Sequence, residues 1–419
     1  MLIKNLASLS IALAASLLVG CSTPCDAPGG LCAPLDTNTR LAPAPPPVSL
    51  APIPPPPQAV VITSPIDVPD AAQGDAPAPA PAPAGMATPD HTRIALLLPL
   101  DSPTLGAPAE ALRAGFLAGY DHDRAGFTVD VVPSGDTVDT TLAAYRTASA
   151  RADMIVGPLL RSAVAAVAAG AVVKPTLALN HPGDATALPP NMLAIGLSSE
   201  DEARQVAAWA HADFPSGRPL VLTGQEPWQR RLADAFHARW NSFGNTAYQL
   251  ELPLDDGRIG AAALAGLKVR VDLDQPDFLF AALGPEQLRQ VRAALGMSLP
   301  AYGTSSVNPG GGAGNSVAEL DGVRMLDLPW QVQPDAAAVA AYPRAAMDNR
   351  ATPDLDRLYA LGIDAYRVAR AMALHPQQPV VLDGVTGRLR IQAQAPQFER
   401  SETPVLYRGG LFEAAPGAR

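Results

Sequence analysis

The sequence predicts an α/β protein made of two similar lobes, each built on a doubly wound, mostly parallel sheet. Apolar runs of strand length recur along the chain, and a stretch whose apolar residues have helical spacing follows each run. This alternation occurs in two successive series. Strands that alternate with helices pair in parallel through right-handed crossovers, and the ligands of such sheets collect beyond the carboxyl ends of the strands.

The first series opens with RIALLLPL, an unbroken apolar run that is closed by Pro99. Such a run predicts a strand buried on both faces, and the helical spacing of Leu112, Phe116 and Leu117 predicts a helix behind it. The rest of the series is predicted as strands at Phe127–Val132, Asp153–Val156, Lys174–Leu179 and Asn191–Gly196, and as helices at Val138–Ala150, from Arg161, and from Leu197–Asp201 with Ser199 as N-cap.

The second series has the same order of elements. Its predicted strands are Pro219–Thr223, Thr246–Leu252, Asp277–Ala281 and Pro300–Gly303, and its predicted helices are Pro227–Phe243, Ile259–Leu267 and Pro285–Leu295. Asp272, Asp274 and Asp277 are interpreted as part of a turn before a buried strand. Beyond it we expect a Gly-rich loop at Gly310–Gly314, a strand at Val323–Leu328, helices at Asp335–Met347 and Asp354–Leu374, a hairpin of Val380–Leu382 with Arg388–Ile391, and a last strand at Val405–Leu411.

The first 20 residues have the layout of a secretory signal, with one charged side chain, Lys4, before the apolar core Leu6–Val19. The ending Leu18–Cys21 resembles a bacterial lipobox, in which the cysteine becomes the lipidated first residue. A chance cysteine after an ordinary signal peptide is the alternative. Ser22 follows Cys21 where many Gram-negative lipoproteins retained in the inner membrane have Asp. The sequence therefore predicts a lipid anchor at Cys21 in the outer membrane, facing the periplasm.

The other cysteines, Cys25 and Cys32, form an even pair in an oxidising compartment, where they could close a small loop. A zinc site is the weaker alternative, because no His lies near them. No cysteine follows Cys32, which excludes thiol catalysis from the folded part. Residues 21–92 are rich in Pro and Ala and predict a disordered tether after the lipidated cysteine. The tether either reaches a distant partner or is a spacer with no length requirement.

No motif for catalysis, metal binding or a cofactor is present in the sequence. The His residues are isolated, G-x-S-x-G is absent, and Gly310–Gly314 lacks the Lys and Ser/Thr of a P-loop. Nucleic acid is an improbable partner, because the formal net charge is −10 and the 30 Lys and Arg residues are scattered. The sequence predicts a protein that is not an enzyme.

The two-lobed series resembles the periplasmic binding protein type I fold, in which three crossover segments join lobes that close over a ligand. More specifically, the stretches IVGPLLRSAV, PTLALN, ELDGVRMLDLPWQV and RLYALGIDAYRV resemble the C-terminal domain of the penicillin-binding protein activator (LpoA) lipoproteins. The resemblance covers about Arg93–Phe412, and the expected two-lobed domain is 93–413.

That resemblance implies an outer-membrane lipoprotein that binds a class A penicillin-binding protein, a bifunctional synthase, and stimulates peptidoglycan synthesis. Better-known members carry helical repeats before the receptor-like domain, whereas the Pro-rich tether has that place here. Trp330 in the LDLPW turn is a candidate contact residue, with burial between the lobes as the alternative.

A solute receptor is the alternative function, for a small molecule such as an amino acid or a wall fragment. Its ligand would lie in the interlobe cleft, where the strand ends are polar; the candidates are Asp101, Ser102, Gly157, Leu159, Asn180, Gln225, Thr304 and Ser305. The same residues could instead be turn formers that satisfy local backbone groups. Because neither lobe shows a matched charged pair for an ammonium and a carboxylate, we expect weak or no binding of free amino acids.

The resemblance also predicts how the lobes are joined. We expect crossovers near Leu197–Glu200, near Pro329–Gln333 and near Pro379–Asp383. The long helix that carries Leu358, Leu361, Tyr366 and Val368 is expected to pack its apolar face on the first lobe.

Overall fold

The computed structural model describes residues 91–170, 172–182, 187–310, 317–344, 352–376, 378–392 and 397–415 of the 419-residue chain. The predicted signal peptide, Cys21, the pair Cys25 and Cys32, and nearly all of the predicted tether lie outside the described residues. All of the described residues belong to one compact unit.

A five-stranded parallel sheet forms the centre of the first lobe, with the strand order β2-β1-β3-β4-β5. The strands are β1 (Thr92–Leu98), β2 (Phe127–Pro133), β3 (Met154–Val156), β4 (Thr176–Ala178) and β5 (Met192–Ala194), and the helices between them are α1 (Gly106–His122), α2 (Val138–Ser149) and α3 (Arg161–Ala168). Alternate residues of β1 enter two cores: Ile94, Leu96 and Leu98 face one, and Ala95 and Leu97 face the other. Both faces of the sheet are therefore covered, as the unbroken apolar run predicted.

A seven-stranded sheet forms the centre of the second lobe, with the order β17 (Leu411–Ala414), β16 (Thr403–Arg408), β12, β11, β10, β6 and β7. Its elements in chain order are α4 (Ser199–Asp213), β6 (Pro219–Thr223), α5 (Pro227–Ser242), β7 (Tyr248–Glu251), a small hairpin of β8 (Leu254–Asp255) and β9 (Arg258–Ile259), α6 (Ala261–Asp274), β10 (Phe278–Ala282), α7 (Pro285–Leu295), β11 (Ala301–Gly303) and β12 (Val323–Asp327). The two strands added after β12 are antiparallel, whereas the others pair in parallel.

The chain after β12 contributes elements to both lobes. It forms α8 (Pro329–Val332), α9 (Ala337–Ala340), the long helix α10 (Pro353–Leu374), a three-stranded sheet of β13 (Val380–Asp383), β14 (Arg388–Gln392) and β15 (Gln397–Ser401), and then β16 (Thr403–Arg408) and β17 (Leu411–Ala414). Helix α10 packs on the first lobe: Leu361, Tyr366 and Val368 lie in one core with β1, and Leu358 packs against that core. This confirms the packing that the sequence predicted for the long helix.

The chain leaves the first sheet after β5 and enters α4 near Ser198, and it leaves the seven-stranded sheet near Leu328. The third passage differs from the prediction near Pro379–Asp383, because the chain re-enters the seven-stranded sheet only between Ser401 and Thr403. The physical reason is β15, which extends the predicted hairpin into a sheet whose residues Leu389 and Ile391 are buried in the core of the first lobe.

Several elements have bounds in the structure that differ from those predicted from the sequence. The N-cap of α4 is Ser198, whose side chain accepts from the Asp201 amide, and not Ser199. Helix α6 continues to Asp274 and ends where Gln275 takes a left-handed conformation, so Asp272 and Asp274 are helical and not in a turn. Within the described residues, the helix predicted at Asp335–Met347 is only Ala337–Ala340, consistent with Pro343, which disfavours a helix running on through it. The last predicted strand is two strands, β16 and β17.

Glycines allow α1 and α10 to approach closely. A Cβ on Gly362 would lie 2.1 Å from the Leu112 carbonyl oxygen, and a Cβ on Gly115 would lie 1.9 Å from the Tyr359 carbonyl oxygen. Because both obstacles are backbone atoms, side-chain rotation does not relieve the clash. The sequence RAGFLAGY and its partner ALGIDAY therefore specify a contact of two helix backbones.

We predict that Gly362→Ala lowers the free energy of unfolding by about 1–3 kcal/mol, the usual cost of overpacking. The matched control is Gly266→Ala on α6, where a Cβ meets nothing within 4 Å. That substitution is expected to raise the free energy of unfolding by up to about 1 kcal/mol. Denaturant titration of both variants measures the difference. Equal effects of the two substitutions would contradict close packing of α1 on α10.

Candidate functional site

Among the eight residues predicted for the cleft, Ser102 and Thr304 make hydrogen bonds within their own loops, and Asn180 and Gln225 bond to other segments of the chain. Ser102 Oγ accepts from the Leu105 amide at 3.0 Å, and Thr304 Oγ1 donates to Ser306 Oγ at 2.9 Å. Asn180 Nδ2 donates to the Leu159 carbonyl at 3.1 Å, and Gln225 Oε1 accepts from the Leu254 amide at 3.3 Å. Asp101 is exposed, and Gly157 lies with a positive φ of 120° directly beside the Leu97 carbonyl. The local hydrogen bonds of Ser102 and Thr304 are those expected of turn formers, whereas the bonds of Asn180 and Gln225 join separate segments.

Ser305 is the exception, because its backbone belongs to a cluster of buried charges. Its amide donates to Glu202 Oε2 at 2.8 Å, and its carbonyl accepts from Arg357 Nη2 at 3.2 Å. We call the surrounding group the hinge cluster, since its members lie beside the three passages of the chain between the sheets. The hinge cluster consists of Glu202, Asp327, Arg357, Asp364, Arg367, Arg400 and Glu402.

An ion pair between Asp327 and Arg357 joins the two lobes in the hinge cluster. Asp327 ends β12 and is 0% exposed, and its Oδ2 lies 2.9 Å from Nη2 of Arg357 on α10. The same oxygen accepts from Asn308 Nδ2 at 2.6 Å, while Oδ1 accepts from the Leu328 amide at 2.7 Å. Both oxygens of the Asp327 carboxylate are therefore hydrogen-bonded, which offsets part of the cost of burying its charge. Burial opposes the charge of Arg357, but Asp327 outweighs this and raises its pKa.

Asp364 on α10 accepts hydrogen bonds from the turn between β13 and β14. Its Oδ2 accepts from the Thr386 amide at 2.7 Å and from Thr386 Oγ1 at 2.6 Å, and its Oδ1 accepts from the Val385 amide at 3.1 Å. Arg367 Nη1 lies 3.2 Å from Oδ1. Asp364 thereby fixes the three-stranded sheet to the long helix.

Glu202 and Glu402 are buried carboxyl groups beside the first and third passages. Glu202 is 4% exposed, and burial followed by the charge of Asp327 raises its pKa to about 7. Burial, with the charge of Glu202, raises the pKa of Glu402 well above its usual value. The Glu402 amide donates to Gln205 Oε1 on α4 at 3.1 Å, which ties the third passage to the helix that follows the first passage. Both carboxyl groups are therefore poised to hold a proton in the folded protein.

A cavity of about 370 Å³ lies beside the third passage, and we call it the hinge cavity. Its walls come from α4, β15 and the ends of β4 and β5, and they include His181, Arg204, Phe398, Arg400 and Glu402. None of the eight predicted cleft residues lines it. Burial lowers the pKa of His181 and that of Arg400.

The described residues contain no group of three or more His, Cys, Asp or Glu that is suited to hold a metal ion. None of the helices in the described ranges combines the length and apolar composition that crossing a bilayer requires. The hinge cluster can hold charges and protons beside the passages of the chain that connect the two lobes.

Sequence reasoning missed the hinge cluster. Glu202 lies in the first turn of α4, where an acidic residue is expected from the helix dipole alone, and Arg357 belongs to no motif. The usable signal was a single carboxylate inside an apolar stretch, as for Asp327 in MLDLPW and Asp364 in LGIDAY. Trp330, the candidate contact residue, is 0% exposed, and its Nε1 donates to Asp356 Oδ1 at 2.9 Å. It is therefore buried beside the second passage.

The two sheets and the passages between them define a periplasmic binding protein type I fold. Residues 84–410 match the family model described as "LppC putative lipoprotein". Because the match covers most of the chain, the protein belongs to this lipoprotein family.

Two relatives are each called "Penicillin-binding protein activator LpoA". The protein of Yersinia pseudotuberculosis serotype O:1b (strain IP 31758) is 28% identical over 384 residues, with 71% of this chain and 57% of the relative covered. That of Haemophilus ducreyi (strain 35000HP / ATCC 700724) is 27% identical over 334 residues, with 76% of this chain and 54% of the relative covered. The chain thus spans about half the length of these relatives.

Solved structures agree with the fold. A protein of Chromobacterium violaceum ATCC 12472, described as a "putative branched-chain amino acid ABC transporter", is 34% identical with a TM-score of 0.63, covering 75% of this chain and 100% of that one. The "LpoA (YraM) C-domain from Haemophilus influenzae, a regulator of PBP1A" is 24% identical with a TM-score of 0.61, covering 77% of this chain and 99% of that one. The second similarity supports the fold alone.

We predict that Arg357→Met lowers the free energy of unfolding by about 3–5 kcal/mol, because it leaves the Asp327 carboxylate buried without its partner. The matched control is Arg113→Met, which removes an exposed i,i+3 pair with Glu110 on α1. Denaturant titration is expected to show a much smaller change for the control. Similar losses for the two variants would contradict a structural role of the buried pair.

The raised pKa of Glu202 predicts a pH dependence of stability. The folded protein binds this proton more tightly than the unfolded chain does, so the contribution is complete below the ordinary pKa of 4.5 and is lost as pH rises through about 7. Glu202→Gln keeps an acceptor for the Ser305 amide and does not ionise. Its stability relative to the parent protein should therefore increase as the pH is raised over this range, as measured by thermal unfolding. A constant difference would contradict the prediction.

Proposed function

We propose that this protein is an outer-membrane lipoprotein that binds a class A penicillin-binding protein and stimulates its peptidoglycan synthesis. The observation that carries the proposal is the family match over residues 84–410, together with relatives that are called penicillin-binding protein activators. The activator acts without chemistry of its own, by favouring an active conformation of the synthase.

The hinge cluster supports an activator that works as a rigid body. A protein shifts a partner's equilibrium only by the difference in its affinity for the two states of the partner. A surface whose two halves are fixed relative to each other discriminates between those states better than a loose one. The Asp327–Arg357 pair fixes the lobes in this way, and the hydrogen bond of Glu402 to Gln205 fixes the third passage to α4.

The N-terminal sequence supports attachment at a distance from the partner. The lipobox at Leu18–Cys21 would place the anchor in the outer membrane, and the Pro-rich residues 22–92 would span the space to a synthase in the inner membrane. At about 3.1 Å per residue in the polyproline II conformation, a tether of this length reaches on the order of 200 Å when extended.

A synthesis assay tests the proposal. Purified class A synthase with the domain Arg93–Arg419 at saturation is expected to show a higher rate of glycan polymerisation and more peptide cross-links than the synthase alone. The Arg357→Met variant is expected to stimulate less, whereas Arg113→Met stimulates as the parent domain does. An unchanged rate and an unchanged degree of cross-linking at saturating domain would refute the proposed function.

Deletion of Ala51–Gly85 tests the role of the tether separately from the ability of the domain to stimulate the synthase. The shortened protein is expected to lose activity in cells, because its domain no longer reaches the synthase, while the purified domain stimulates as before. Cys21→Ala is expected to remove the lipid from the mature N-terminus, which mass spectrometry detects. Full activity in cells after the deletion would show that the tether is a spacer without a length requirement.

A solute receptor is the second candidate, and one observation favours it. The Chromobacterium violaceum protein, which is 34% identical, is described as a "putative branched-chain amino acid ABC transporter". The predicted cleft side chains Ser102 and Thr304 are engaged in local hydrogen bonds, which leaves them poorly disposed towards a ligand. The synthesis assay distinguishes the candidates, because a receptor without the activator role leaves the synthase unchanged.

A further inference from the structure

A groove on the surface of the first lobe lies between α2 and α3, on the face of the sheet opposite α1 and α10. We call it the α2–α3 groove. Its volume is about 410 Å³, and all of its lining residues come from α2, α3 and the segment after α3. Leu142 and Tyr145 belong to the wall on α2. Ala166 and Gly170 belong to the opposite wall, and the space stays open because their side chains are small.

The α2–α3 groove exposes apolar side chains to solvent. Val173, in the wall after α3, is 69% exposed, and Leu142 and Ala166 are half-buried. A single exposed apolar residue is ordinary, but several that line one groove mark a surface that another molecule covers.

Three unpaired cations lie in or beside the α2–α3 groove, whose lining includes no carboxylate. Arg146 lines the groove, and Arg151 and Lys174 each lie within two residues of a lining residue. The side chains of these three residues form no ion pair or hydrogen bond with any other described residue. Because the chain as a whole has a formal net charge of −10, this cationic groove is a local exception that favours an acidic partner.

The walls of the α2–α3 groove also indicate the backbone conformation of that partner. None of the lining residues belongs to a strand, so the groove offers no free strand edge to an extended peptide. An occupant must therefore satisfy its own backbone hydrogen bonds, as an α-helix does. Helix α2 has 12 residues and is about 18 Å long at 1.5 Å per residue, which is enough to contact about three turns of a docked helix.

We propose that the α2–α3 groove binds an acidic amphipathic helix of another protein. The apolar face of that helix packs between Leu142 and Val173, and its carboxylates pair with Arg146, Arg151 and Lys174. The helix dipole of α2 accounts for a cation near its C-terminal end, but it does not account for exposed apolar residues beside that cation. The inference does not require that the partner is the synthase, because peptide binding and synthase stimulation are measured separately.

Binding of synthetic peptides to the purified chain tests the α2–α3 groove. The first probe is an amphipathic peptide with Leu at helical spacing and Glu at the flanking positions. The second has Lys in place of every Glu, and the third has the composition of the first in an order that gives no apolar face. Fluorescence anisotropy should show that the first probe binds at least about tenfold more tightly than either of the others, because Lys makes the flanking contacts repulsive.

Hydrogen exchange on the parent protein locates the bound probe without any variant. We expect the first probe to slow exchange in α2 and α3, and to leave α6 and α7 on the second lobe unchanged. Equal binding of the Glu and Lys probes, protection elsewhere than α2 and α3, or no binding of the first probe at millimolar concentration would overturn the proposal.

Two surface variants separate the charged contacts from the apolar contacts. Arg146→Glu is expected to weaken binding of the Glu probe and to strengthen binding of the Lys probe, each by about threefold or more. Val173→Ser is expected to weaken binding of both probes. The matched controls are Arg388→Glu, at an exposed position of β14, and Leu273→Ser, at a position of α6 that is 75% exposed. Neither control lines the groove, so both should bind the probes as the parent protein does.

Circular dichroism establishes that these variants are folded, which is expected because every replaced side chain is exposed. An unchanged preference for the Glu probe in folded Arg146→Glu would overturn the proposal.

A second copy of this chain is the other occupant that the experiments must distinguish. Sedimentation equilibrium of the chain without peptide is expected to show a monomer at the concentrations used for peptide binding. A dimer that Arg146→Glu dissociates would show that a copy of this chain covers the α2–α3 groove, and it would overturn the assignment to an acidic helix of another protein.

Discussion

The ion pair between Asp327 and Arg357 is the interaction on which the arrangement of the two lobes depends. It joins the end of a central strand in the second lobe to the long helix of the first, at a place where Asp327 is completely buried. Removing one partner of such a pair costs about 3–5 kcal/mol. A whole domain is stable by only about 5–15 kcal/mol, so this one contact is a large fraction of the total.

The rest of the fold explains why this pair can exist. Helix α10, which carries Arg357, lies directly against α1, because Gly115 and Gly362 face backbone atoms of the opposite helix and leave no room for a side chain. Asp364, two turns further along α10, fixes the hairpin that leads to β15 and thus to Arg400 and Glu402. One helix therefore positions charged groups beside two of the three passages, and Glu202 on α4 supplies the group beside the first.

The sequence was sufficient for most of the fold and for little of the site. Unbroken apolar runs such as RIALLLPL specify buried parallel strands directly, because both faces need apolar residues. Strand β15 was missed because its sequence QFERS is mostly polar and lacks an apolar run, although Phe398 packs against the core of the first lobe. The hinge cluster was missed because its members come from four distant segments, and only the folded chain brings them together. Glu202 looked like an ordinary residue of a helix N-terminus until Ser305 was placed against it.

The most direct test of the hinge cluster is the distance between the lobes in solution. The chain has no cysteine after Cys32, so spin labels at Asp139→Cys on α2 and Lys268→Cys on α6, in a background with Cys21, Cys25 and Cys32 replaced, report only that distance. Both positions are exposed. Pulsed electron spin resonance should give one narrow distance distribution, which Arg357→Met broadens or shifts. A broad distribution in the parent protein, or an identical narrow one in the folded variant, would contradict the role of the buried pair.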